Sequence, residues 1–268
     1  MMLLKQIIIF LFLAVSSNAQ GLDTIIDANS YKLHFRIIKG ENAPILFESG
    51  GGQDASQWDS IATIVHQRLK ATVITYDRAG FGQSSFDTLD YTILREIKSL
   101  EFALQKFGFM NEKLLLVGQS LGAFYNRVYA ARNPDQVKGI ILVDPRIPSY
   151  GDMQFAKRSF QSMDRKNYEA EYMSLYYLLA RMESTSNYVR QLPLSTNIPL
   201  LDIMAENGPF EDPIENERFK EEQRNLIKGH PNRKLIFAKG SSHNIPMDKP
   251  AMVIEQVIKF YRRYISEN

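Results

Sequence analysis

Six short, continuous apolar runs, each followed by a longer amphipathic or polar stretch, set the strongest constraint on what this chain can become. They are Ile45-Leu46-Phe47, Thr72 to Tyr76, Leu114 to Val117, Ile140 to Val143, Pro199 to Met204 and Lys234 to Ala238. Runs this short and this apolar suit strands buried on both faces, the pattern of a parallel sheet. The intervening stretches at about 56–70, 92–107, 121–132 and 250–264 carry helical spacing; in the last, Val253, Val257, Phe260 and Tyr264 recur behind Pro250, a residue favoured at a helix start. Strand–helix alternation of this kind predicts a doubly wound, mostly parallel α/β sheet with right-handed crossovers. Ahead of it, Thr24 to Asp27 and Leu33 to Ile38 flank an Asn29-Ser30 turn and read as a hairpin.

One interval breaks the rhythm. Between about Tyr150 and Asn197 there is no β-like run, only Tyr-, Met- and Leu-rich helical sequence such as Tyr168 to Met182. It reads as a helical cap inserted after one sheet strand, and at the carboxyl edge of a doubly wound sheet it would roof the crevice where ligands sit.

The first residues belong to a different physical regime. Met1 to Lys5 is a short positive opening, Ile7 to Val15 an apolar run of nine, and Ser17 and Ala19 the small residues a signal peptidase reads. The expectation is a signal peptide over 1–19, cleaved after Ala19, and a periplasmic or secreted domain over 20–268. The apolar run is short for a permanent span, so no stable membrane anchor is expected after cleavage. A net charge of +2 with both signs mixed along 268 residues gives no reason to expect nucleic acid as a partner. With no cysteine, thiolate nucleophiles, disulfides and Cys-ligated metals are excluded.

The chemistry centres on Gly118-Gln119-Ser120-Leu121-Gly122, a G-x-S-x-G directly after an apolar strand and directly before a helical stretch. Such a serine must occupy a strained conformation on a very sharp turn, with glycines on both sides because a β-carbon there would strike the neighbouring strand and helix. A serine hydroxyl needs a base within hydrogen-bond reach. Of four histidines, His34 lies in the hairpin, His66 mid-helix and His230 in a turn entering the last strand. His243 follows a strand at its carboxyl end, on a Ser-Ser-His-Asn loop.

These stretches together resemble the α/β-hydrolase fold, from about residue 22 to the end. Phe47-Glu48-Ser49-Gly50-Gly51-Gly52 with Trp58 is similar to the glycine loop after the third strand, Tyr76-Asp77-Arg78-Ala79-Gly80-Phe81-Gly82-Gln83-Ser84 to the turn after the fourth. Gly118 to Gly122 is similar to the nucleophile elbow, and Ser242 to Pro246 with Pro250 to the histidine loop before the last helix. The resemblance implies the chain order Ser…acid…His, with Ser120 and His243 in the first and last roles. The acid departs from the common pattern: where many members carry Asp after the seventh strand, this chain has Ala205-Glu206-Asn207-Gly208. Some members, haloalkane dehalogenases among them, place it after the sixth strand, where Asp144 stands. Asp144 is favoured over Glu206, with Glu211 and Asp212 well behind. The resemblance also assigns oxyanion-hole N–H groups to Leu121 and Gly51, with Gly52 an alternative to the latter. Asp77 and Arg78 read as ties that hold a turn.

The expectation is a serine hydrolase acting on a small ester-type substrate, with no metal or organic cofactor. An aminoacyl-amide peptidase of the proline iminopeptidase kind, an acyltransferase, or a binding protein that keeps the pocket without the chemistry are its alternatives. Serine at the elbow argues against the carboxylate-nucleophile chemistry of dehalogenases and epoxide hydrolases in this fold.

Overall fold

A computed structural model of the protein describes residues 21–87, 91–169 and 172–266. The expected signal peptide and its cleavage point lie outside the described residues. Leu22–Asp27 (β1) and Lys32–Ile38 (β2) form the expected hairpin, with Leu22 opposite Ile37 and Asp27 opposite Lys32. Six parallel strands follow: Asn42–Glu48 (β3), Ala71–Tyr76 (β4), Leu114–Gln119 (β5), Val137–Val143 (β6), Leu200–Ala205 (β7) and Arg233–Ala238 (β8). Their order in the sheet is β1-β2-β4-β3-β5-β6-β7-β8, with β2 antiparallel to β4. After β3 the chain goes outward to β4, then crosses back to place β5 on the other side of β3. That reversal opens a crevice at the carboxyl ends of β3 and β5, the switch point where ligands bind in such sheets.

The connecting helices are Asp59–Leu69 (α1), Ile93–Lys106 (α2), Gly122–Arg132 (α3), Tyr150–Gln161 (α4), Met173–Ala180 (α5), Met182–Gln191 (α6), Pro213–Ile227 (α7), the single turn Ile245–Asp248 (α8) and Pro250–Tyr264 (α9). Alternation along each strand divides the core between the two faces. In β5, Leu114 and Leu116 join a cluster with Ile97 and Leu100 of α2 and Phe124 and Val128 of α3, whereas Leu115 and Val117 join Ile61 and Val65 of α1 and Val253 and Val257 of α9. Each such side chain, fully buried, stabilises the fold by about 1.5–3 kcal/mol relative to exposure. Trp58 is wholly buried on the second face, its ring 5.1 Å from that of Phe47.

Two sequence expectations need correction. β8 is half-exposed, with Phe237 open to solvent, because it is the edge strand and has a neighbour on one side only. The stretch 213–227 forms a helix absent from the expected set. Its face is mostly charged and buries little beyond Phe219 and Gln223, so apolar periodicity is weak. The start was nevertheless written in the chain: Asp212 caps Ile214 N at 2.8 Å and Pro213 takes the first helical position.

The interval 150–197 contains α4, α5 and α6 between β6 and β7. Asp152 is their buried hub. It accepts from Ser186 Oγ of α6 at 2.6 Å and from Arg146 Nε at 2.5 Å, and its N–H is capped by Ser149 Oγ at 2.8 Å. Arg158 of α4 reaches Glu215 of α7 at 2.6 Å, and Arg127 of α3 donates to Leu192 O at 2.7 Å. The inserted segment is thereby tied to the loop after β6, to α7 and to α3.

Candidate active site

β5 delivers Ser120 at the turn into α3 with φ 51°, the left-handed region that non-glycine residues enter only when their surroundings force them. The surroundings do so here. Ser120 N donates to Val143 O at 3.1 Å, and Arg146 N donates to Ser120 O at 3.0 Å, stitching the turn to the end of β6. The flanking glycines are required by contact: a β-carbon on Gly122 would lie 2.7 Å from Glu48 O, and one on Gly118 would lie 2.5 Å from Asn126 Nδ2.

Of the four histidines only His243 reaches this turn. Its Nε2 lies 2.9 Å from Ser120 Oγ and its Nδ1 2.5 Å from Asp144 Oδ2. An ionised carboxylate only accepts, so Nδ1 carries the proton toward Asp144 and the Nε2 lone pair faces the serine hydroxyl. Phe219 of α7 stands edge-on to the imidazole, ring centres 5.8 Å apart. His34 is instead buried between Asp77 Oδ2 at 2.8 Å and Asp23 Oδ1 at 2.7 Å, His66 Nδ1 lies 2.9 Å from Ala71 O, and His230 sits in the turn before β8.

Between the two sequence candidates for the third position, the folded chain brings Asp144 to His243. Asp144 is buried, at φ 43°, and its second oxygen accepts from Ala205 N at 2.9 Å and Gln223 Nε2 at 3.1 Å. Glu206 serves elsewhere, accepting from Gly240 N and so tying down the turn after β8. Asp212 is the cap of α7. Beside Asp144, on β7, Asp202 is wholly buried; lost solvation, with the Asp144 charge adding to it, holds its carboxyl well above the ordinary carboxylate range.

The glycine loop after β3 meets the turn after β5 at Gly51. A β-carbon there would touch Leu121 at 3.5 Å, so the Gly51 backbone lies against Leu121, whereas Gly52 (φ 78°) faces Leu175 of α5. Gly50 N donates to Gln57 Oε1 at 2.8 Å, Gln57 Nε2 to Gln119 Oε1 at 3.3 Å, and Gln119 Nε2 to His243 O at 3.2 Å. Two glutamines thus link the glycine loop to the histidine loop. Gln119 was visible in the sequence only as the variable position of the motif, and Gln57 and Gln223 gave no signal there.

Asp77 is the turn tie expected of it, accepting from Ala55 N and Gln83 N at 2.8 Å each. Arg78 does something different: both its terminal nitrogens donate to the glycine loop, at Ser49 O and Gly50 O. Around it lie Glu48 and Glu96, pushed up to about 8 and about 7 by burial.

A strained serine at the switch point, a histidine within bonding distance and a buried carboxylate behind it define a class. The family model for the alpha/beta hydrolase fold matches residues 43–171, a span that includes Ser120 and Asp144. The chain is 25% identical over 221 residues to uncharacterized protein YqjL of Bacillus subtilis, covering 82% of this chain and 84% of that one. It is 27% identical over 120 residues to a haloalkane dehalogenase of Agrobacterium fabrum, a match that spans 44% of this chain and 38% of the relative. Among solved structures, a thermophilic esterase from Thermogutta terrifontis superposes with a TM-score of 0.62 at 18% identity, covering 92% of this chain and all of that one. The protein has the α/β-hydrolase fold, and that family's model matches nearly half of the chain.

Proposed function

We propose that the protein is a serine hydrolase that cleaves a carboxylic-ester bond of a small molecule through an acyl-enzyme on Ser120. The observation that carries the reading is the continuous chain Ser120 Oγ–His243–Asp144, at 2.9 and 2.5 Å, standing at the sheet's switch point. Ser120 Oγ attacks the acyl carbon as its proton passes to His243 Nε2, and Asp144 stabilises the imidazolium without taking the proton. The N–H groups of Leu121 and Gly51 receive the oxyanion, aided by the amino end of α3. His243 then gives the proton to the leaving alkoxide oxygen, and a water deprotonated by the same nitrogen frees the acid and restores the serine.

An alcohol nucleophile at the elbow supports acyl transfer to water over the alkyl-enzyme route of a carboxylate nucleophile, although one relative is named for dehalogenation. α4 to α6 act in this reading as a cap: Leu175 of α5 lies 3.6 Å from the β-carbon position of Gly52, above the crevice. The amino-terminal sequence supports export, with Gln20 as the first residue of the mature protein. The test is labelling by a fluorophosphonate probe together with turnover of p-nitrophenyl esters of graded chain length. Labelling abolished by Ser120→Ala, with turnover lost in parallel, is expected; ester turnover that survives Ser120→Ala overturns the reading.

A further inference from the structure

Arg78 is almost wholly buried, and a guanidinium taken from water is costly unless charge or strong acceptors replace the solvent. Among the described residues no carboxylate is within hydrogen-bond distance of it: the nearest ion-pair contact, Glu48 Oε2, is 3.9 Å from Nη1. Its two terminal nitrogens go instead to the carbonyls of Ser49 and Gly50, and the rings of Tyr125 and Phe81 cover it at 4.7 and 5.7 Å. A turn could be tied by any neutral donor. A buried cation on two successive carbonyls asks for an electrostatic reason.

The reason lies in the peptide unit. Gly50 O and Gly51 N–H are the two ends of one conjugated amide, so a cation bonded to the oxygen draws electrons from the nitrogen and strengthens the N–H as a donor. We propose that Arg78 is a positioning residue for the oxyanion site, polarising the Gly50–Gly51 peptide from its carbonyl end so that Gly51 N–H binds developing negative charge more tightly. The inference rests on the serine-hydrolase reading and deepens it.

The surroundings fit. The same carbonyl accepts from Gln53 N at 3.2 Å, and the preceding N–H is held by Gln57, so the amide plane is fixed. Burial pushes both neighbouring carboxyls, Glu48 and Glu96, toward their neutral forms, which weakens their hold on the Arg78 charge beside the loop.

The experiment compares Arg78→Met and Arg78→Lys with the wild type on a matched ester and its thionoester, in which the oxyanion is replaced by a sulfur anion that gains less from a strong N–H donor. In Arg78→Met, kcat on the ester should fall by ten- to a hundredfold, on the order of part of an oxyanion donor, with KM within about twofold. The ester-to-thionoester ratio of kcat should fall by a similar factor, and Arg78→Lys, which keeps the charge, should recover part of both. Equal losses on the two substrates, or a change confined to KM, overturn the proposal. If Arg78→Met does not fold, Arg78→Gln, which keeps hydrogen-bond donors without the charge, decides, an unchanged ratio being the negative result. Failure of the parent reading is separate, since it shows as ester turnover persisting in Ser120→Ala.

Discussion

Ser120 and Asp144 leave adjacent parallel strands through the same left-handed backbone kink, at φ 51° and 43°. The two kinks are bonded to each other: Ser120 N reaches Val143 O, the residue before Asp144, and Arg146 N reaches Ser120 O. The proposed nucleophile and its distant acid therefore sit on one rigid backbone unit, and His243 is the part that arrives from elsewhere. Strain at both positions is sustained because the paired strands over-determine it.

If Asp144 holds the imidazole tautomer, Asp144→Asn should lower kcat on an ester substrate by roughly 10⁴-fold with the fold intact. Glu206→Gln should stay within about twofold, because Glu206 bonds the turn after β8 and not the histidine. Steady-state kinetics of the two variants check this, and the reverse pattern transfers the role to Glu206.

Gln223 supplies one of the two donors to the second Asp144 oxygen. A hydrogen bond to a charged group is worth about 1.5–3 kcal/mol. Gln223→Met should accordingly reduce kcat by about tenfold or more, with KM little changed. A kcat equal to that of the wild type would show Ala205 N to be sufficient.

The elbow glycine has no room to give. In Gly122→Ala the new methyl meets the Glu48 carbonyl at 2.7 Å, and that carbonyl is backbone in a central strand. A loss of about 1–3 kcal/mol is expected from overpacking. Thermal unfolding should register it as a drop of about 2–4 °C per kcal/mol for a domain of this size.

Glu48 gives a pH dependence with a definite sign. Its carboxyl is held at about 8 in the folded protein against an ordinary value of 4.5, because burial disfavours the charge. Between those values the unfolded chain releases a proton that the folded one keeps, so this contribution to stability is full below about pH 4.5 and is lost as pH rises toward about 8. Urea midpoints should fall across that window, and Glu48→Gln should flatten the fall. An identical slope in the variant would mean that other groups carry it.

Much of the site could be read before folding. The elbow is local: strand, glycine, serine, glycine and helix are consecutive, so the strain at Ser120 follows from covalent neighbours. His243 was reachable because histidines are few and chain order excludes the rest. The second strained residue, Asp144, gave no such sign, since Val-Asp-Pro at a strand end is compatible with several backbone conformations. By sequence Arg78 reads as a tie for its own turn, yet its partners are carbonyls 28 and 29 residues away. Gln223 was out of reach for a like reason: the helix that carries it shows almost no apolar stripe.

Periodicity and motif spacing were thus enough for the layered sheet, the raised serine and the late imidazole, because each depends on residues close in the chain or on simple strand order. The choice of Asp144 over Glu206 beside His243 belonged to the tertiary structure. Both acids follow the ends of neighbouring strands, and only the twist of the sheet with the path of the last loop decides which lies within 2.5 Å of the ring. The same holds for the electrostatics behind the glycine loop, where burial sets the charge of Glu48 and leaves Arg78 facing a peptide carbonyl. Burial is a property of the assembled layers, and no local stretch of sequence contains it.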